Sequence, residues 1–165
     1  MSTGRVYYYT IDNEVYTAAG GNRDIWEIAP AANKPVEIIR FRLVKLNKIK
    51  DAELEGLSIE IVHRNTTIGS GGTTYTAADV GRQHASSVDP SCTVVRNNTT
   101  IATGGGGLIR SCYAEAWGYP ICEFVWEPDT RYQATSFDTV FCIRGHTTPA
   151  ADVNFSGYLV LKEMG

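Results

Sequence analysis

Alternation of apolar and polar side chains is the feature that most constrains how this chain can fold. In the stretch VEIIRFRLVKL (36–46), Phe41 and Leu43 share one parity with Ile39. The charged side chains of the same stretch, such as Arg40, take the other parity. A period of two is the signature of a β-strand that buries one face and exposes the other. The stretch therefore predicts a half-buried strand.

Nine stretches carry this strand signal, whereas helical signals are weak. The segments KDAELEG (50–56) and TAADVGRQHASS (76–87) offer no apolar face at helical spacing, so we expect at most one or two short helical turns. Sixteen glycines cluster at the breaks between the strands. Many short strands joined by glycine-rich turns are typical of sandwiches and barrels. The predicted strands are 5–10, 23–30, 36–46, 56–64, 92–97, 108–117, 121–128, 137–145 and 155–163.

The fold class predicted is all-β: a single-domain antiparallel β-sandwich, jelly-roll-like. The 165 residues are enough for about one domain with a real core. Because no linker or shift in composition divides the chain, residues 1–165 are expected to form one domain. The longest stretch without a strand signal, around 65–91, is predicted to be a long loop excursion, and such loops often carry function.

Composition and charge disfavour two classes of partner. Apolar residues make up 43% of the chain and charged residues 20%, as in soluble globular proteins. Since no apolar run approaches the roughly 18 residues that a membrane helix needs, we expect no membrane partner. With a net charge of −3 and scattered Lys and Arg, the chain offers no sustained positive field, so we expect no nucleic-acid partner. The first residues show no secretory signal, and we expect synthesis in a host cytoplasm.

Four cysteines, Cys92, Cys112, Cys122 and Cys142, lie far apart in the sequence. No CxxC pair or neighbouring histidine supplies the close ligand spacing that is typical of zinc sites, so no metal site is predicted. Disulfides and buried free thiols both fit the spacing. Because a cytosolic origin favours reduced thiols, we expect the four to be free cysteines that pack as small apolar side chains.

A local repeat joins NTTIGSGG (65–72) to NTTIATGG (98–105). Two copies are too few for a stacked-repeat architecture. A phosphate cradle would need a following Lys-Ser/Thr and a helix, and neither stretch has them. We interpret the pair as two exits from β-strands with shared turn chemistry. If the strands before them, 57–64 and 92–97, run the same way, both loops emerge at one end of the sandwich.

Four asparagines begin the N-x-Ser/Thr triplet that is the acceptor for N-glycosylation. They are Asn65, Asn97, Asn98 and Asn154. Glycan attachment requires entry into a secretory pathway. Because no secretory signal is found, the triplets are interpreted as turn chemistry.

No catalytic constellation stands out, so the chain is predicted not to be an enzyme, with no catalytic residues, no metal ligands and no cofactor. The histidines are His63, His84 and His146, and none lies near a GxSxG, HxH or HExxH motif. The 18 acidic residues include no pair that the sequence marks out. A hydrolase with a site assembled from scattered acids is kept as a third hypothesis.

Aromatic side chains point to a contact with another subunit. Cys122, Phe124 and Trp126 alternate as a core face does. In VYYYT (6–10), consecutive tyrosines put rings on both faces of one strand, as is expected where a second subunit covers the outer face. We predict an oligomeric contact there and in the loop from 66 to 75. The predicted partner or oligomer contact residues are Arg5, Tyr7, Tyr8, Tyr9, Thr66, Thr67, Thr73 and Tyr75.

The order of several segments resembles a group of small β-rich proteins encoded among the structural genes of tailed bacteriophages. The segments are VYYYTIDNEVYTA, DIWEIAPAANKPVEIIRFRLVK, LSIEIVHRNTTIGSGGTT and GHTTPAADVNFSGYLVLKE. The resemblance implies a virion structural protein, most simply a capsid decoration or cement protein on the capsid surface. It also implies a homotrimer that binds the outer surface of the head where subunits of the major capsid protein meet. The family offers no catalytic residues.

A second hypothesis is a carbohydrate- or receptor-binding module of a head or tail fibre. It would place tyrosines and Gly-Thr loops at an exposed tip. Tyr75 and Trp117 are the ring-bearing residues that this hypothesis singles out.

Overall fold

Strands dominate the structure, a computed structural model that describes residues 4–46, 57–104, 107–114, 121–135, 140–146, 148–149 and 151–165. Within these residues the chain forms twelve strands, two short 3₁₀ turns (Ala18–Gly20 and Pro128–Thr130) and no α-helix. No helix in the described ranges is long and apolar enough to cross a membrane. The strands are β1 (Arg5–Tyr16), β2 (Arg23–Ala29), β3 (Val36–Lys45), β4 (Leu57–Asn65), β5 (Thr73–Thr74), β6 (Val80–Arg82), β7 (Thr93–Asn98), β8 (Gly107–Ala114), β9 (Ile121–Val125), β10 (Gln133–Ala134), β11 (Val140–Gly145) and β12 (Val153–Glu163).

Two antiparallel sheets pack face to face. Sheet A has the order β6-β1-β12-β3-β10, and β9 pairs with β3 beside β10. Sheet B has the order β5-β7-β2-β11-β4-β8. Eight of these strands form β1-β12-β3-β9 in one sheet and β2-β11-β4-β8 in the other, which is the strand order of a jelly roll. The predicted fold class is confirmed.

The inner faces of the two sheets form one core, as the period of two predicts. Phe41 on β3 lies near its centre, with its ring centroid 6.3 Å from that of Trp26 and 5.4 Å from that of Phe124. Ile39 does not follow the predicted parity. A β-bulge opposite Val160 inserts an extra residue in β3, so Ile38 is buried and Ile39 only partly.

Of the four remaining strands, β10 lies between β9 and β11, and β5, β6 and β7 belong to a long insertion between β4 and β8. β6 pairs with β1 and extends sheet A, while β5 and β7 extend sheet B beyond β2. The predicted excursion around 65–91 thus runs from one sheet to the other at a single side of the sandwich. Its contacts with both sheets tie their edges together.

The cysteines depart in part from the expectation. Cys92 and Cys142 are free and buried, as expected. Cys122 is disulfide-bonded, so the prediction of a free thiol is wrong there. The spacing of cysteines along the chain does not show which of them form a disulfide.

Several predictions fall partly outside the described residues. Segment 50–56, Trp117 and the ends of two predicted strands, 115–117 and 137–139, are among them.

Candidate functional site

The tyrosines of β1 alternate between the core and the outer face of sheet A. Tyr7 and Tyr9 are 0% and 1% exposed. The hydroxyl of Tyr7 donates to the carbonyl of Val88 at 2.9 Å, and that of Tyr9 lies 3.4 Å from Sγ of Cys92. Burial raises the pKa of both tyrosines. Tyr8 points the other way and is half-buried, so of these three predicted contact residues it is the one presented on the outer face.

A cross-strand row extends from Tyr8 over the outer face of sheet A. Tyr8 lies opposite Val160, Val160 opposite Arg40, and Arg40 opposite Val125. Residues opposite each other in antiparallel strands share a face. Val125 is 59% exposed, although it is a large apolar side chain. Val160 is only 2% exposed, so the row presents the half-buried Tyr8 and Arg40 and the exposed Val125.

The neighbouring row continues this composition. Tyr158 lies opposite Arg42, which lies opposite Glu123 on β9. The guanidinium of Arg40 stands over the ring of Tyr158, with its Cζ 5.4 Å from the ring centroid. Such a cation–π contact holds Arg40 across the sheet surface.

Some charged side chains on this face form ion pairs and others do not. Glu37 lies 3.7 Å from both Arg131 and Lys162. Arg40 and Arg42, in contrast, form no ion pair with any described residue. Nε of Arg42 is buried and lacks a hydrogen-bond partner among the described residues. The positive charges of these two guanidinium groups are thus not neutralised by an ion pair within the described residues.

A groove of about 360 Å³ runs beside Arg40. Its lining includes Tyr8, Arg40, Val125, Trp126 and Val160. We call the two rows and this groove the sheet A outer face. Arg5 lies at the beginning of β1, opposite Glu163 and half-buried, outside both rows.

The predicted loop residues lie elsewhere, on sheet B. The two repeats pair with each other: Thr67 forms a bridge with Thr103, and Ser70 forms one with Thr100. We call the paired loops, residues 66–72 and 99–104, the clasp. Thr66 and Thr67 belong to it and are exposed, while Thr73 begins β5 just beyond it.

The geometry of the clasp corrects the prediction that both loops emerge at one end. In sheet B, β7, β2, β11 and β4 are successive antiparallel neighbours, so β4 and β7 run in opposite directions. Their loops leave from opposite ends and meet over β2 and β11. Equivalent glycines in the two repeats, Gly71 and Gly104, both have positive φ, of 81° and 95°.

A buried polar cluster lies under the clasp. The carboxylate of Asp24 accepts a bond of 2.6 Å from Nε of Arg144 and another of 2.6 Å from the amide of Ala102. Oε2 of Glu27 accepts from the amide of Gly69 at 2.7 Å and from Nδ2 of Asn98 at 3.0 Å. The two acids of β2 therefore each hold one half of the clasp. Sequence analysis missed them because neither belongs to a motif.

Three side chains of this cluster are of the types that bind metal ions. Ligand atoms of Asp24, Glu27 and Cys142 lie within 4.8 Å of one another. However, both oxygens of Asp24 are already engaged, and Arg144 supplies a cation at that point. Burial also raises the pKa of the Cys142 thiol, which disfavours the thiolate that metals bind. The three donors fit an ion-pair network better than a metal ion.

Tyr75 is held inside the fold and is not at an exposed tip. Its hydroxyl accepts from the indole N–H of Trp26 at 3.2 Å and donates to the carbonyl of Thr10 at 2.7 Å. Arg96 stands over its ring at 5.3 Å, and the ring of Tyr9 meets it at 5.3 Å. Burial raises the pKa of Tyr75 to about 12. These contacts hold the partly buried ring of Tyr75 against both sheets.

No protein-family model, no curated protein and no solved structure matches the chain.

Proposed function

We propose that this chain is a non-enzymatic structural protein of a phage virion, a capsid decoration or cement protein that docks through the sheet A outer face. The observation that carries the proposal is the row from Tyr8 to Val125, with the unpaired Arg40 and Arg42 beside it. Tyr and Arg are enriched in protein interfaces and dominate their binding energy. A sheet face with this composition, partly exposed and with Val125 clearly so, fits a protein partner.

The size of the face fits a specific complex. Five strands, from β6 through β1, β12 and β3 to β9, make up its width, and β12 has 11 residues. At about 3.4 Å per residue and about 4.8 Å between strands, the face measures about 36 Å by about 19 Å. That is about 700 Å², near the roughly 800 Å² that each partner buries in a standard interface.

The charge of the face indicates the chemistry of its partner. Because Arg40 and Arg42 form no ion pair with any described residue, the partner surface should present Asp or Glu side chains to them. The sequence resemblance to phage structural proteins then supplies the partner, the major capsid protein at the outer surface of the head. Symmetry would repeat each contact over the capsid and multiply modest affinities.

Binding to bare expanded heads of the parent phage tests the proposal. Cosedimentation should capture the wild-type chain, and Arg40→Glu should weaken capture at least about tenfold because it sets like charges against each other. Arg64→Glu is the matched control, since Arg64 is exposed at the end of β4 on sheet B. Wild-type protein that fails to bind heads, or equal loss in both variants, would contradict the proposal.

The resemblance also implies a homotrimer. Light scattering coupled to size exclusion should give three times the chain mass of 18.1 kDa. A monomer at micromolar concentration would argue against a preformed trimer and leave docking as a property of the single chain.

A further inference from the structure

A second cavity lies on sheet B, between the clasp and the strands β5 and β7. It has a volume of about 420 Å³. Glu27 and Asn98 line it and are 4% and 1% exposed, whereas Ile68, another lining residue, is 62% exposed. The cavity therefore reaches from a surface side chain down to a buried carboxylate and a buried amide.

Two acceptor atoms in this cavity are unused. Both hydrogen bonds to Glu27 from the described residues go to Oε2, which leaves Oε1 without one. Oδ1 of Asn98 is buried and has no partner among the described residues. Turning the Asn98 amide over would set Oδ1 against the carboxylate, so the present orientation is the favourable one while Glu27 is ionised. Oε1 of Glu27 is thus the acceptor that a donating ligand in the cavity can reach, since Oδ1 of Asn98 is closed off even from water.

The charge balance selects the kind of donor. Asp24 is neutralised by Arg144, but Glu27 forms no ion pair with any described side chain. Burial raises the pKa of the Glu27 carboxyl, as expected for an acid without a partner cation. A neutral hydroxyl ligand would leave the carboxylate charge unbalanced. A calcium ion carries two positive charges, whereas Glu27 is the one carboxylate among the described residues that line the cavity, so a singly charged cation balances it better.

We propose that this cavity binds an alkylammonium group, with the ammonium donating to Oε1 of Glu27. The walls suit its aliphatic stem, because Ala29, Ile68 and Val95 line the same cavity. Both a lysine side chain of another protein and a small free amine have this chemistry. The site is separate from the sheet A outer face and does not depend on the proposed function.

Titration of the full chain with two probes tests the site and distinguishes the two sources. The probes are n-butylamine and Nα-acetyl-lysine methylamide, followed by the amide resonances of Gly69 and Asn98. Tighter binding of the lysine derivative supports a protein source, and tighter binding of butylamine supports a free amine. The norleucine analogue, which keeps the stem without the charge, should not bind. Absence of saturable shifts with both amines, or equal shifts with the norleucine analogue, overturns the proposal.

Substitutions give the second arm of the test. Glu27→Gln keeps the shape but removes the charge, and should raise the dissociation constant about tenfold or more. Glu123→Gln makes the same chemical change at an exposed site on sheet A and should leave the constant unchanged. Should Glu27→Gln fail to fold, Ile68→Lys at the exposed mouth tethers an ammonium to the cavity and should block butylamine. Unchanged butylamine binding in a folded Glu27→Gln or in Ile68→Lys refutes the assignment.

Discussion

At the scale of single residues, the two glycines of the clasp are required by their surroundings. A Cβ at Gly71 would lie 2.2 Å from Oγ1 of Thr99, and one at Gly104 would lie 2.1 Å from Oγ1 of Thr66. Thr66 and Thr99 occupy the same position in the two repeats, so each repeat places its threonine against the glycine of the other. The clasp is thus a small pseudo-twofold structure.

Gly71→Ala should lower the free energy of unfolding by about 2 to 4 kcal/mol, from the positive φ together with the clash. Gly21→Ala is the control, because Gly21 has φ of 64° with nothing within 4 Å of its Cβ position. Because its ψ of −156° also lies in a region that glycine alone adopts readily, Gly21→Ala should lose about 1 to 3 kcal/mol from backbone strain alone, without a clash. Denaturant unfolding measures both values. Thr99→Ala combined with Gly71→Ala should recover part of the loss, and a purely additive pair would show that the clash does not exist.

The acid Glu27 should make stability depend on pH. Its pKa is raised in the folded state, first by burial and then by the charge of Asp24, while the bonds from Gly69 and Asn98 and the charge of Arg144 oppose the shift. The folded state therefore holds the proton more tightly than the unfolded state. The stabilisation from this group is complete below its unfolded pKa of 4.5 and is lost as pH rises through the folded pKa.

Glu27→Gln should remove the pH-dependent contribution that Glu27 makes to the free energy of unfolding. Unfolding free energies measured from pH 4.5 to neutral pH should show wild type losing stability relative to the variant as pH rises. Parallel curves for the two proteins would contradict the raised pKa. Cys142 lies in the same cluster, but its raised pKa keeps it a neutral thiol over this range.

At the scale of elements, the long strands could be predicted and their irregularities could not. All nine predicted stretches contain strands, because a sheet with one buried face imposes a period of two on its sequence. β5, β6 and β10 have two or three residues, too few to show a period. The bulge at Ile39 and the pairing of the two NTTI loops depend on partner strands that are distant in sequence, so the local pattern carries no sign of them.

The clasp should resist hydrogen exchange although most of it is outside regular strands. The amides of Ser70 and Thr103 donate across the pairing at 3.0 and 3.1 Å, and those of Gly69 and Ala102 donate to buried carboxylates. We expect protection of these four amides close to that of the strands they cover. Exchange followed by NMR checks this. Rates near those of an unstructured peptide would show that the clasp opens independently of the sheets.

At the scale of the whole molecule, the sequence predicted the fold more completely than the candidate surface. Periodicity and glycine-rich turns were sufficient for the jelly roll. The candidate surface was predicted in part: Tyr8 lies on it, but Tyr7 and Tyr9 fill the core, because neighbouring residues of a strand take opposite faces. The sequence showed only that Arg40 and Arg42 lie on the polar face of β3. Their unpaired state depends on what lies opposite on β12 and β9, which the sequence does not show.

The insertion between β4 and β8 bears on whether the chain unfolds as one unit. It adds β6 to sheet A and β7 to sheet B, and Tyr75, which it contributes, bonds to Trp26 of sheet B and to the backbone of β1 in sheet A. Loosening the insertion should therefore loosen both sheets together.

Calorimetry of the wild type should show one transition whose calorimetric and van't Hoff enthalpies agree. Gly104→Ala should shift that transition to lower temperature without splitting it, since the clasp lies on β2 and β11 at the centre of sheet B. A separate early transition in the variant would mean that the insertion is an independent unit and that the jelly roll is stable without it.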